Sequence, residues 1–84
     1  MMEVKYEDPS HGWLAVPREM LEELGITEKI SNCSYERGDF VFLEEDCDMP
    51  LFLNAMEAKG EKFDYRIVRS DNESFVCKLD HYQP

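Results

Sequence analysis

The side chains with the most chemistry to offer in this chain are carboxylates. Glu44, Glu45, Asp46 and Asp48 crowd into one short stretch interrupted by Cys47, and Asp39 stands just ahead of them. Neighbouring acids on a loop and a helix start stand about 5–7 Å apart; residues one turn apart on a helix are about 5–6 Å apart. Phosphates recur along one nucleic-acid strand with an axial rise of about 3.4 Å. A row of such carboxylates therefore imitates nucleic acid and fits a basic cleft. The plainer reading is structural, because acids ahead of a helix N-terminus are stabilised by its dipole and keep the surface soluble.

The same carboxylates suggest a second chemistry. Hard oxygen donors suit calcium or magnesium. The calcium-loop pattern is missing, however, with no glycine at the sharp turn and no acid at the closing position. Zinc would draw on His11, Cys33, Cys47, Cys77 and His81, whose spacings match no standard zinc pattern. No metal and no cofactor is expected.

Nucleophilic catalysis is poorly served. Carboxylates around Cys47 raise a thiol pKa and suppress the thiolate. Cys77 reads as a core residue of an apolar strand, and Cys33 has no histidine near it in sequence. No P-loop, dinucleotide fingerprint or serine elbow occurs. An 84-residue chain also leaves little room for a cleft. The expectation is a binding protein, not an enzyme. Trp13 has two readings: an exposed anchor for a partner, since tryptophan is enriched at binding hot spots, or the largest side chain of the core.

Charge narrows the partner. Nineteen acids against nine bases give a net charge of −10. Residues 1–37 hold eight acids and four bases. Residues 38–58 hold six acids and no base, and residues 59–84 hold five of each. Such a field repels nucleic acid and anionic membrane and attracts basic protein surfaces. Direct nucleic-acid binding needs a basic stripe, and the chain has none. No stretch is apolar enough for a membrane span. Three cysteines, without a CxxC pair or a secretory leader, point to a reducing cytoplasm.

The elements that must position these groups follow from pattern. Residues 1–10 end in Asp8-Pro9-Ser10, a turn, and read as a loose arm or an edge strand. His11 to Val16 is a short strand. Pro17 opens a helix containing Met20, Leu21 and Leu24, which Gly25 stops, with Ile26 as the apolar contact of the cap. Tyr35 begins a strand, and Glu36-Arg37-Gly38-Asp39 makes a turn. Phe40-Val41-Phe42-Leu43 is a continuous apolar run and belongs inside a sheet. A second helix covers about 49–59, with Asp48 as N-cap, Pro50 in its first turn, and Leu51, Phe52, Ala55 and Met56 as its apolar face. Phe63, Tyr65 and Ile67 alternate, as do Phe75, Cys77 and Leu79. With a turn at Ser70-Asp71-Asn72-Glu73 these read as a closing hairpin. The expected fold is α+β in one domain spanning 1–84: a small mixed or antiparallel sheet with two helices on one face, in the order β-α-β-α-β-β.

Two stretches, His11-Gly12-Trp13-Leu14 with Val16-Pro17 and Leu43-Glu44-Glu45-Asp46-Cys47-Asp48, together resemble small proteins encoded on phages and other bacterial mobile elements. That resemblance covers about residues 10–58 and implies a bacterial cytoplasm, without supplying a catalytic residue. Val16-Pro17 with Leu24-Gly25-Ile26 also resembles swapped-hairpin DNA-binding domains of the transition-state-regulator type. Those bind DNA through basic residues, whereas here Glu19, Glu22 and Glu23 outnumber Arg18.

Together these features predict an acidic inhibitor. It occupies the basic nucleic-acid-binding surface of a host defence protein of CRISPR or restriction type, through Asp39, Glu44, Glu45, Asp46, Asp48 and Trp13. The alternatives are an adaptor that uses an apolar patch or pairs with a second copy of itself, and a small metal-binding protein.

Overall fold

Apolar runs set the sheet. In Gly12–Pro17 (β2), Leu14 and Val16 point to one face and Trp13 and Ala15 to the other, and all four are buried. A strand covered on both faces must lie inside a sheet. β2 indeed pairs antiparallel with Glu3–Glu7 (β1) on one side and with Phe40–Glu44 (β4) on the other. The computed structural model describes residues 3–84. Its sheet is mixed and six-stranded, in the order β5-β1-β2-β4-β3-β6, where β3 is Tyr35–Arg37, β5 is Tyr65–Arg69 and β6 is Asp80–His81. Among the described residues, the only parallel pair is β1 with β5. The Cα radius of gyration, 12.0 Å, is that of a compact chain of this length, about 12 Å.

Both helices lie on one face, as expected. Leu14, Val16, Val41 and Leu43 meet Leu21 of Arg18–Glu23 (α1) and Met49, Phe52 and Met56 of Met49–Ala58 (α2) in one cluster. Met49, Phe52 and Met56 recur at helical spacing and form the buried stripe, while Leu51 and Ala55 are only half covered. α1 is short because Gly25 ends it at a φ of 70°. The Ile26 N–H reaches the Leu21 carbonyl and the Gly25 N–H the Glu22 carbonyl, a paired cap that needs the left-handed conformation glycine tolerates. Ile26 is buried beneath it. Pro17 precedes the helix as its N-cap, one residue earlier than expected, because β2 holds it opposite Phe40.

Three features differ from the sequence reading. Residues 3–7 are neither a loose arm nor an edge: β1 is interior, flanked by β2 and β5, while Met1 and Met2 lie outside the described residues. Tyr35–Arg37 and Phe40–Glu44 form an additional hairpin around Gly38-Asp39, where Gly38 takes a φ of 57°. The closing hairpin does not form. β5 joins β1 at one edge of the sheet, and β6 joins β3 at the opposite edge. Five strand spacings, roughly 24 Å, separate those edges. The chain from Ser70 to Leu79 must therefore cross the sheet, and Phe75–Lys78 turns as a 3-10 helix instead of extending.

That crossing segment covers the second face of the sheet. Val76 is fully buried against Trp13, Ala15 and Phe42, with Tyr6, Tyr35, Cys77 and Leu79 packed around them. Phe75 meets Tyr6 and Phe42 edge-on, with ring centroids 5.0 and 5.8 Å apart. Tyr82, after the last strand, is also buried and donates its hydroxyl to the Thr27 carbonyl at 2.6 Å. Trp13 is 2% exposed, and its Nε1 is a buried donor without a partner among the described residues. Replacing it forfeits apolar packing and no hydrogen bond. Trp13→Ala is expected to cost about 3–5 kcal/mol and Trp13→Phe roughly 1–2 kcal/mol in urea unfolding. Equal costs for the two would show that ring packing is not what Trp13 supplies.

Candidate functional site

The acidic stretch begins at the end of β4 and runs into α2, and the local backbone turns most of it inward. The Glu44 carboxylate accepts the Asp46 and Cys47 N–H groups at 2.8 and 3.0 Å, closing the turn on itself. Glu44 is 8% exposed. Asp48 sits at the N-cap position of α2 but makes no side-chain cap. Its carboxylate instead reaches the loop before β3. It accepts the Ser31 N–H at 3.1 Å, the Ser31 hydroxyl at 2.8 Å and the Ser34 hydroxyl. Ser34 Oγ in turn accepts the Glu44 N–H at 3.0 Å. Asp48 is 3% exposed, so these donors replace the water that its charge has lost.

Glu45 is half-buried and takes Lys5 at 2.8 Å. Lys5 also meets Glu7 at 2.8 Å, and Glu7 meets Arg69 at 3.1 Å. This chain of charges ties the β4–α2 turn to β1 and β5. Burial lowers the Lys5 pKa, but the hydrogen bonds and charges of Glu45 and Glu7 outweigh it, and the net shift is upward. Lys5 and Arg69 hold the Glu7 carboxyl below its ordinary value. Gly12 is the neighbour that allows the pair: a Cβ there would stand 2.9 Å from Lys5 Cε and 3.0 Å from Glu45 Oε1.

Of the six residues expected to face a partner, the structure therefore places Trp13, Glu44 and Asp48 inside, engages Glu45 with lysine, and leaves Asp46 and Asp39 exposed. Oxygens of Glu44, Glu45 and Asp46 approach within 4.8 Å of one another, close enough to resemble a cation site. A cation there would compete with Lys5 for Glu45 and with two backbone N–H groups for Glu44.

Asp39 belongs to a different group. The Arg18 N–H donates to its carbonyl at 2.7 Å, which draws the β3–β4 turn onto the start of α1. Asp39 then lines one surface depression with Glu19, Glu22, Pro17 and Arg18. The guanidinium of Arg18 pairs with Glu36 at 3.3 Å, donates to the Gly38 carbonyl at 3.4 Å and lies over the Tyr82 ring at 5.8 Å. Glu19, Glu22 and Asp39 are exposed and have no ion-pair partner among the described residues. The acids of α1 are visible in the sequence, but their meeting with Asp39 depends on the hairpin between β3 and β4.

A second surface feature lies on the opposite side of the sheet. Val4, Tyr6, Ala15, Phe40, Phe42 and Phe75 line a shallow groove of about 380 Å³, with Glu3 and Arg37 at its margins. Phe40 is 44% and Phe75 42% exposed beside it.

In the sequence Asp8 marks only a turn. One carboxylate oxygen accepts the Ser10 and His11 N–H groups at 2.9 and 2.8 Å, and the other accepts the Ser74 N–H at 2.9 Å. It anchors the segment that crosses the sheet. The Ser74 hydrogen bond, with those of His11 and Ser10, holds its carboxyl below the usual range.

Asp48→Asn keeps the shape but loses the charge and turns a donor toward donors. It is expected to cost about 2–3 kcal/mol, against within about 0.5 kcal/mol for exposed Asp46→Asn, compared by urea unfolding. Glu7 and Asp8 are both depressed, from ordinary values of 4.5 and 3.8. Their contribution to stability is complete above those values and is lost as pH falls through the lower folded-state pKa values. The melting temperature is expected to drop on acidification below about pH 4.5, and Glu7→Gln with Asp8→Asn to flatten that limb. An unchanged acid limb in the double variant would count against these anchors.

No helix among the described residues is long and apolar enough to cross a membrane. Compared with protein-family models, with curated proteins and with solved structures, the chain matches none of them.

Proposed function

We propose that the protein is a non-catalytic binding protein that docks its acidic α1 side on a basic protein surface of the kind that otherwise holds nucleic-acid phosphates. The observation that carries this reading is the group formed by Glu19, Glu22 and Asp39: exposed, adjacent and without ion pairs, on a chain of net charge −10. Exposed Asp46 extends the negative field from the β4–α2 turn. Unpaired like charges repel one another, and a basic partner relieves that repulsion while steering association. The likeness to phage and mobile-element proteins suggests the partner: a host defence protein of CRISPR or restriction type in the bacterial cytoplasm, inhibited by occupation of its nucleic-acid cleft.

A second reading has its own observation. Phe40 and Phe75 stand exposed beside the groove on the other face, and such a patch suits an adaptor that receives an apolar side chain of its partner. Salt separates the two, because Coulombic docking weakens as salt rises and apolar docking does not.

The test is capture of partners from bacterial lysate on the immobilised protein at low and high salt, with identification by mass spectrometry. A nucleic-acid-binding protein captured at low salt and released at high salt is the expected result. Glu19→Lys, Glu22→Lys and Asp39→Lys combined should reduce that capture tenfold or more by slowing association. Capture unchanged by the triple reversal but lost in Phe40→Ser with Phe75→Ser would transfer the function to the apolar groove.

A further inference from the structure

We propose that Cys33 and Cys47 are a reversible oxidation site, closing to an intramolecular disulfide on reaction with a low-molecular-weight disulfide such as oxidised glutathione. The two residues are fourteen positions apart in sequence, and the fold brings them together through Asp48. Ser31 and Ser34, on either side of Cys33, both donate to the Asp48 carboxylate, and Cys47 is the residue immediately before it. The Cys33 N–H is held by Ser31 Oγ at 3.2 Å, which fixes the loop conformation from which its side chain projects. Both thiols are free and exposed, so a small oxidant reaches them. Cys77 is half-buried on the other face beside Asp8 and takes no part.

The chemistry balances as two exchanges. The Cys33 thiolate attacks one sulfur of the oxidant, its S–S bond breaks, and one small thiol leaves with a proton. Cys47 then gives up its proton, attacks the Cys33 sulfur of the mixed disulfide and expels the second small thiol. Two protein thiols are oxidised by two electrons and one disulfide is reduced to two thiols. Cys33 beside it, with Glu44 next, pushes the Cys47 thiol up to about 12. Glu44 stays beside Cys47 after Cys33 is capped and still disfavours its thiolate, so closure is the slower exchange near neutral pH.

The bond would sit at a junction. The 31–34 loop also receives the C-terminal strand: the Tyr82 N–H donates to the Ser34 carbonyl at 2.9 Å, and His81 Nδ1 lies 2.7 Å from the Asn32 carbonyl. Oxidation would lock this loop covalently to the turn that starts α2, and reduction would leave the Asp48 hydrogen bonds and the Ser34–Glu44 bond to hold the two together.

The test treats the purified chain with oxidised glutathione and follows intact mass, peptide mapping and thermal unfolding. Expected are a mixed-disulfide intermediate, then a product lacking two hydrogens and linked 33–47, with closure faster as pH rises because the attacking group is the thiolate. Closing a loop of this length should raise the melting temperature by on the order of 10 °C. Cys33→Ser and Cys47→Ser should stop at an adduct or remain unmodified, while Cys77→Ser behaves as the parent. Stable separate adducts on Cys33 and Cys47, linkage through Cys77, or only intermolecular dimers would overturn the proposal.

Discussion

The Asp48 carboxylate joins the loop before β3 to the turn between β4 and α2, parts of the chain that are distant in sequence. It lies at the start of α2, accepts both polar groups of Ser31 and the hydroxyl of Ser34, and through Ser34 reaches the backbone of Glu44. A buried carboxylate is tolerated only if its lone pairs are satisfied. That requirement makes the loop before β3, the end of β4 and the first turn of α2 mutually dependent. Because the C-terminal strand hangs on the same loop, the closing edge of the sheet depends on it as well.

The two faces of the sheet are covered by different means. The helix face is packed as a continuous apolar cluster, with a buried methionine and phenylalanine stripe from α2 over the branched residues of β2 and β4. Among the described residues, no α-helix lies on the opposite face. A single irregular segment crosses it, held by Asp8 at the Ser74 N–H and by Val76 in the middle. One segment cannot cover a six-stranded face, and aromatic rings remain partly exposed where it does not reach. Phe75 meets Tyr6 and Phe42 edge-on and Tyr6 is tilted against Phe42, contacts that give the remaining surface a fixed shape, since such pairs prefer defined geometry.

Charge is distributed by the same logic. The densest acidic run in the sequence supplies structure: a turn closed by Glu44, a hub at Asp48 and an ion pair from Glu45. The acids left to act on solvent or on a partner are those the fold collects from separate segments, on α1 and on the β3–β4 turn. A cluster in sequence and a cluster in space are thus different objects here, and only the spatial one sets the external field.

The sequence alone determined the fold class, both helices and the interior position of Phe40–Leu43. Each rests on local physics: helical spacing of apolar residues, a proline entry, a glycine exit, and a run of strand formers too apolar for an edge. It also showed Trp13 and the acidic run as the prominent features, though not which way they point. Tertiary structure decided that β1 lies inside the sheet, because the parallel partner that covers it arrives from sixty residues later. It decided that Phe75–Leu79 crosses a face instead of pairing with Tyr65–Arg69, since alternation of apolar residues fits a strand and a crossing segment equally well. It also decided that Asp48 and Glu44 turn inward while Asp39 joins Glu19 and Glu22, because a carboxylate goes where donors wait, and those donors come from distant parts of the chain.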